Sequence, residues 1–232
     1  MIFFLSRFGG SRKAKDLAVG ESVWLTENGE RTEYLVVQQG NPNTSVYTDP
    51  LVSGTWILRK DLDITTNIRD VAANYCTNGK YLARFPAEVQ SAFREVTLPR
   101  SWSVWTAVGQ TENITEVTSK IQMPDARELD PTVETSAMWY TYSKGSVLAY
   151  FKDDADENRV ACRNGTPTGY WLFGGYLDSS AMPTINRVYL YVSAAGVITV
   201  NAAGTTGEWG FRPMMILDPD TQFDASNDFI GL

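Results

Sequence analysis

The sequence contains no histidine. That absence removes the commonest general base, the commonest zinc ligand and every Ser-His or Cys-His nucleophile pair. Carboxylates or a lysine could still carry catalysis, so the composition disfavours an enzyme without excluding one. Cysteine is nearly as scarce: Cys76 and Cys162 are the only two, too few for a structural metal site. In their settings, NYC and RVACRNG, they read as small buried hydrophobes, and a single disulfide between them stays open. Long apolar runs are missing too, and no window approaches the roughly 18 residues of a membrane span. In MIFFLSRFGGSRKAKDL the apolar IFFL precedes the basic residues, the reverse of a signal peptide, and is far too short for one. Residues 1–18 read as an apolar tip, a Gly9-Gly10 hinge and a basic arm. This is an arm for assembly into a neighbouring subunit or, as the plain alternative, a partly ordered terminus.

Positive charge is also in deficit. The net charge of −7 and pI near 4.7 argue against nucleic acid and anionic membrane, which both require a basic face. What is present suffices for one domain over residues 19–232. At 232 residues with 43% hydrophobic composition, folding buries roughly 70% of the unfolded chain's surface.

The chain changes character twice. ESVWLTE-NGE-RTEYLVVQQG alternates on both sides of Asn28-Gly29 and predicts a β-hairpin, and GTWILRKDL adds a third strand, giving a meander. From about Thr65 the period lengthens: Ile68, Val71, Ala72 and Tyr75 in NIRDVAANYCTNGKYLARF predict one short helix. PAEVQSAFREV predicts a second, starting at Pro86. TLPRSWSVWTAVGQTENITEV reads as polar and turn-rich, and KIQMPDARELD as a short strand with a one-to-two-turn helix from Pro124. The last ninety or so residues hold short strands: GYWLFGGYL, RVYLYVS, GVITVNAAG and WGFRPMMIL. Strands, two helices and a loop-rich β half make an α+β domain, not an alternating βαβ sheet.

Motifs with possible chemistry are weak. DDADE, Asp153 to Glu157, lacks the bend glycine of a calcium loop and reads as solvated loop. GNPN at 40–43 and NGTPTG at 164–169 lack the phosphate-loop pattern and are turns; Gly174-Gly175 reads as a backbone bend. NIT at 113–115 matches a glycosylation acceptor only formally. The aromatics say more. Trp171, Phe173, Tyr176, Tyr189 and Tyr191 fall in neighbouring stretches interleaved with Asp178, Ser179, Ser180 and Asn186, a mixture also found in antibody paratopes. Alternation such as V-Y-L-Y-V is equally what a half-buried strand needs, so half of these rings must be core. Arg212, alone in the apolar GEWGFRPMMIL, must meet a carboxylate or several carbonyls once buried.

WLTENGERTEYLVVQQG, GTWILRKDL, YLARFPAEVQSAFREVTLP, KIQMPDARELD, VLAYFKDDADENRVACRNGTPTGYWL and GVITVNAAGTTGEWGFRPMMIL follow one another from about residue 20 to 217. In that order they resemble a bacterial and phage family of domains of unknown function. The family's close, with glycine, an aliphatic or aromatic residue, Arg and Pro, is similar to that of C-type-lectin-like domains, a group including formylglycine-generating enzymes and phage tropism determinants. Where the family reads W-W-L-R-S-P this chain has YWLFGGY, so the loop after Leu172 is expected to take another path.

The resemblance implies a C-type-lectin-like α+β domain in which Trp209, Phe211 and Arg212 are structural, Arg212 as a bolt within a core strand. It also implies a phage virion protein, at the particle surface, in tail or capsid, displaying the domain to recognise a host-surface glycan or protein. The alternative is a capsid decoration or tail subunit with no ligand. Expected contacts are Trp171, Phe173, Tyr176, Asp178, Tyr189, Tyr191, Asn201 and Glu208, acting by stacking and hydrogen bonds. Calcium is not expected, since neither EPN nor WND occurs; nor is any other metal, cofactor or catalytic residue. The 1–18 arm would bind other virion proteins, and a homo-oligomer, with a trimer favoured, would strengthen weak sites by avidity. An enzyme of the formylglycine-generating type needs two cysteines close together in the C-terminal half, and Cys76 lies in the stretch expected to be helical instead.

Overall fold

In the computed structural model, which describes residues 10–63, 65–66, 79–105, 111–133, 144–153, 155–178, 186–202 and 209–232, the chain enters at β1 (Arg12–Lys13) and first reverses at Asn28-Gly29. Both residues hold positive φ, 51° and 80°, the left-handed pair that a two-residue hairpin turn requires. The turn joins β2 (Ser22–Glu27) to β3 (Glu30–Gln39), with Glu27 opposite Glu30. β4 (Thr55–Arg59) extends the meander as expected. β14 (Met214–Leu217), from the far end of the chain, pairs with β4 and completes a four-stranded sheet in the order β14-β4-β3-β2.

A second sheet has the order β12-β11-β10-β13-β5. β10 (Tyr170–Asp178), β11 (Asn186–Val192) and β12 (Ile198–Ala202) are antiparallel neighbours. β13 (Trp209–Gly210) runs parallel to β10, and β5 (Thr65–Thr66) pairs with β13. The register shifts between Trp171 and Gly175, which is where the Gly174-Gly175 bend was expected. Helices are short: α1 (Ala87–Ala92), α2 (Ala126–Leu129) and α3 (Asp156–Arg159). Among the described residues the fold is therefore mixed α+β and mostly β.

Among the described residues β4, β14, the latter half of β3 and Tyr170–Phe173 of β10 are buried on both faces, which is why these stretches read as continuous apolar runs. Residues of one parity, Tyr34, Val36, Ile57, Trp171, Phe173, Met215 and Leu217, join one core with Val89 and Ala92 of α1. Those of the other parity, Leu35, Val37, Trp56, Leu58, Tyr170, Leu172, Leu190, Met214 and Ile216, join a second core with Ala126 and Leu129 of α2.

Two segments differ from the sequence expectation, and two more are described only in part. The 97–117 stretch is no polar loop: its described residues lie in β6 (Val96–Trp105) and β7 (Thr111–Ser119), which pair antiparallel. Val96, Leu98 and Arg100 are buried between the half-buried Thr97 and Pro99, so an arginine at an inward position hides the alternation. Pro99 sits beside a register shift, where a strand tolerates it. The second expected helix stops at Ala92, because Phe93 turns extended and bridges to Leu217 while Arg94 donates to the Ile216 carbonyl. Most of the first expected helix, with Cys76, lies outside the described residues, and its described end is a single 3-10 turn at Leu82–Arg84. Finally, the described part of the 1–18 arm is folded into the domain. β1 pairs with β15 (Gln222–Phe223), which pairs in turn with β16 (Phe229–Gly231), and Ala14 and Leu17 are buried. Lys13 and Lys15 both reach Asp220.

β4 and β14 approach closely at Gly54. A Cβ there would run into the Leu217 carbonyl and lie 2.7 Å from Ile216 Cγ2. Gly54→Ala is expected to destabilise the fold by about 1–3 kcal/mol, the usual range for overpacking, seen as a lower urea midpoint. An unchanged midpoint would contradict this packing.

Candidate functional site

Tyr191 of β11 stands opposite Trp171 of β10 and Thr199 of β12. From the other side of β10, Trp209 brings its indole within 4.1 Å of the Tyr191 ring centroid, tilted by 44°. Trp171 lies 6.0 Å from Trp209 and 6.3 Å from Tyr191. Gly169 makes this possible: a Cβ there would collide with the Trp209 ring and sit 2.8 Å from the Val192 carbonyl. The indole therefore lies on bare backbone. Trp171 is 3% exposed, whereas Tyr191 and Trp209 are half-buried at the rim of the core. Among the described residues the buried Nε1 of Trp209 has no hydrogen-bond partner.

Of the expected contact residues, the structure brings together Trp171 and Tyr191. Phe173 belongs to the same core as Trp171: it is 3% exposed and donates its backbone N–H to the Pro124 carbonyl at 2.8 Å. The rings of Trp171 and Phe173 pack the interior instead of forming a surface, because the Tyr170–Phe173 stretch of β10 is buried on both faces. By register Tyr176 pairs with Val188, Asp178 with Asn186, and Tyr189 with Asn201; the side chains of Tyr176, Asp178, Tyr189 and Asn201, and the whole of Glu208, lie outside the described residues. Trp209 and Phe211, expected as purely structural, differ from one another. Phe211 is fully buried against Tyr81 at 5.3 Å, while Trp209 contributes to the rim.

Arg212 is 2% exposed. Its Nε donates to the Arg59 carbonyl at 2.9 Å, and its NH1 to the Tyr170 hydroxyl at 3.0 Å and the Arg159 carbonyl at 3.3 Å. It lies where the chain crosses from β13 to β14, and so ties the end of β4 in one sheet to the start of β10 in the other. This is the geometry of a fastening, with carbonyls answering the buried charge.

A cluster that the sequence reading passed over lies beneath Phe173. Arg100 and Glu128 are both fully buried and pair bidentately at 2.9 and 3.2 Å. Tyr47 donates to Glu128 Oε1 at 2.8 Å and accepts from the Ser146 N–H at 2.8 Å. Asp125 caps α2: its Oδ1 accepts from Arg127 N–H at 2.9 Å, its Oδ2 from Lys144 N–H at 3.1 Å, and Glu128 returns the bond to Asp125 N–H. Asp-x-x-Glu in PDARE is a capping-box pattern, the signal that would have found it. A second buried carboxylate, Glu27, accepts from Tyr34 at 2.7 Å and from Arg59 at 3.0 Å. These groups answer one another inside the fold. Among the described residues no group of three or more acidic or cysteine side chains could hold a metal ion. Cys162 is a free thiol, and Asp156 of the DDADE stretch pairs with Arg159.

Burial, and then the Glu128 carboxylate, push the Asp125 carboxyl up from an ordinary 3.8 to about 6, with Arg100 opposing. Between those values the folded protein holds a proton that the unfolded chain has released. Stability is therefore expected to fall as pH rises from about 4 to about 6 and to level off above. Urea midpoints across this range should show that slope, and Asp125→Asn should flatten it; an equally steep slope in the variant would contradict the assignment.

The family described as a domain of unknown function, DUF6273, matches residues 54–219, which include β4 to β14 and exclude the β2–β3 hairpin. No curated protein and no solved structure matches the chain. With the match covering well over half of its length, this chain belongs to the DUF6273 family.

Proposed function

We propose that the protein is a bacteriophage virion component whose domain, of C-type-lectin-like type, recognises a glycan or protein on the host surface. The contact is made at the Tyr191–Trp209 end of the five-stranded sheet. The observation that carries this reading is that paired stack: two rings 4.1 Å apart at the rim and half-buried. Rigid amphipathic rings lose little freedom when they bind, which makes Trp and Tyr the usual anchors of recognition surfaces. The reading is non-enzymatic because the fully buried carboxylates, Asp125 and Glu128, are engaged in capping and ion pairing. The 1–18 arm supplies the link to other virion proteins.

The test is binding of the purified full chain to intact host cells, envelope fractions and glycan arrays. Trp209→Ala and Tyr191→Ala are each expected to weaken binding by about 2 kcal/mol, roughly thirtyfold, as for an aromatic anchor, with far-ultraviolet circular dichroism unchanged. Binding that neither substitution affects, or no binding by the native chain, would overturn the proposal. Particle images showing the Tyr191–Trp209 end covered by neighbouring subunits would favour the decoration or tail-subunit alternative.

A further inference from the structure

A strand at the margin of a sheet presents unpaired N–H and C=O groups to any other strand, and folds blunt such edges with charge, proline, short length or a cover. Some strands here are blunted by their own residues: β1 is Arg-Lys, and the two-residue β8 (Cys162–Arg163) and β9 (Thr166–Pro167) carry Arg163 and Pro167. β2 has no such protection of its own. It is the outer strand of the four-stranded sheet, and its six residues, Ser-Val-Trp-Leu-Thr-Glu, hold no proline and a single charge, at the last position. That charge, Glu27, is buried and paired with Arg59. A short segment of strand-favouring residues with so little exposed charge is prone to strand-to-strand association when its edge is free.

The edge is covered instead by Asn227, from the far end of the chain. Trp24 donates its N–H to the Asn227 carbonyl at 2.9 Å, and the Asn227 side-chain amide donates to the Ser22 carbonyl at 3.1 Å. Asn227 thus answers one donor and one acceptor of β2, as a neighbouring strand would, and Asp228 beside it forms a parallel bridge with Trp24. To do this Asn227 holds φ at 58°, a left-handed conformation open at low cost to Gly, Asn and Asp. Glycine has no side-chain donor for Ser22. Aspartate has none either, and would set a second carboxylate against Glu21, which accepts from the Asn227 amide at 2.8 Å. Asparagine meets both demands. Its surroundings hold it in place: Asp224 accepts from the Ser226 and Asp228 N–H groups at 2.8 and 3.0 Å, and Phe223 is buried in the core. Arg31 pairs with both Asp228 oxygens while its guanidinium lies 3.7 Å from the Trp24 ring centroid. The family match runs from residue 54 to 219, so β2 and its cover both lie outside it.

We propose that residues 224–229 are a guard on β2, a contact built into the fold that keeps this edge from pairing with β2 of another copy, and that Asn227 is its key. The guard acts within one chain, so it holds whatever the Tyr191–Trp209 end binds and whatever oligomer forms through other surfaces.

Hydrogen exchange and sedimentation velocity of the full chain test it with two variants. Asn227→Gly keeps the backbone conformation and removes the side-chain bonds; Asn227→Val also excludes the conformation, since a β-branched residue does not tolerate positive φ. The Trp24 amide is expected to exchange about tenfold faster in the glycine variant, as for the loss of one or two hydrogen bonds, and faster still in the valine variant. Amides in the centre of β4 keep their native rates in both. The native chain is expected to hold one sedimentation coefficient as concentration is raised, and the valine variant to shift to larger species. A Trp24 amide as slow in the valine variant as in the native chain would overturn the proposal. So would a valine variant that frees this amide and sediments as the native chain does at every concentration, or equal growth of both chains. Should the valine variant unfold, the glycine variant decides on the same two readouts.

Discussion

A guanidinium is costly to bury unless acceptors meet its charge, and the position of Arg212 turns that requirement into architecture. It sits on the crossing between two sheets, bonded to the carbonyl that ends β4, the hydroxyl that begins β10 and the carbonyl that ends α3. Tyr170 passes the bond on, its hydroxyl donating to the Arg159 carbonyl at 2.9 Å. Arg159, also buried, reaches the carbonyls of Gly196 at 2.9 Å and Leu129 at 3.3 Å. The backbone follows the same seam: Arg59 N–H to Pro213 carbonyl, Asp63 N–H to Phe211 carbonyl and Gly210 N–H to Gly169 carbonyl, at 3.0, 3.0 and 2.8 Å. The two cores can share both sheets because the crossing between them is closed.

That arrangement divides the molecule by chemistry. Charge is placed inside, where Arg100, Arg159 and Arg212 hold elements distant in sequence to one another. A partly exposed aromatic stack is placed at the far edge of the seam, on the bare backbone of Gly169. In the proposed reading, a domain whose buried ions are committed to its framework leaves recognition to its rim and its loops, the usual division in scaffolds that vary their surface while keeping their core. The DUF6273 match ends at residue 219, just beyond β14, so the seam falls within the family's span.

Much of the fold was legible because local signals agreed with tertiary ones. Asn28-Gly29 announced its hairpin, and the strands from Tyr170 to Leu217 were visible as short apolar runs between turn residues. What failed did so for identifiable reasons. Arg100 occupies an inward strand position that alternation assigns to an apolar residue, so the β6–β7 pair read as loop. The PAEVQSAF helix ends early because pairing of Phe93 with Leu217 outweighs a helical preference. For Arg212 the need for oxygen partners was plain from its apolar surroundings. Their identities were not, since Arg59 lies 153 positions away. Trp171 and Phe173 were expected at a surface because alternation reveals two faces without saying whether both are covered. Asp125 and Glu128 were readable as a capping box, but nothing local shows Arg100 arriving from β6.

The claim that the Arg212 seam holds the two sheets as one unit is tested most directly by native-state hydrogen exchange. The amides of Arg59, Asp63 and Gly210 are predicted to exchange only through global unfolding, with the same free energy and urea dependence as amides in the centre of β3. Exchange of those three through a local opening, at lower free energy and with little urea dependence, would show that the sheets separate independently and would contradict the account.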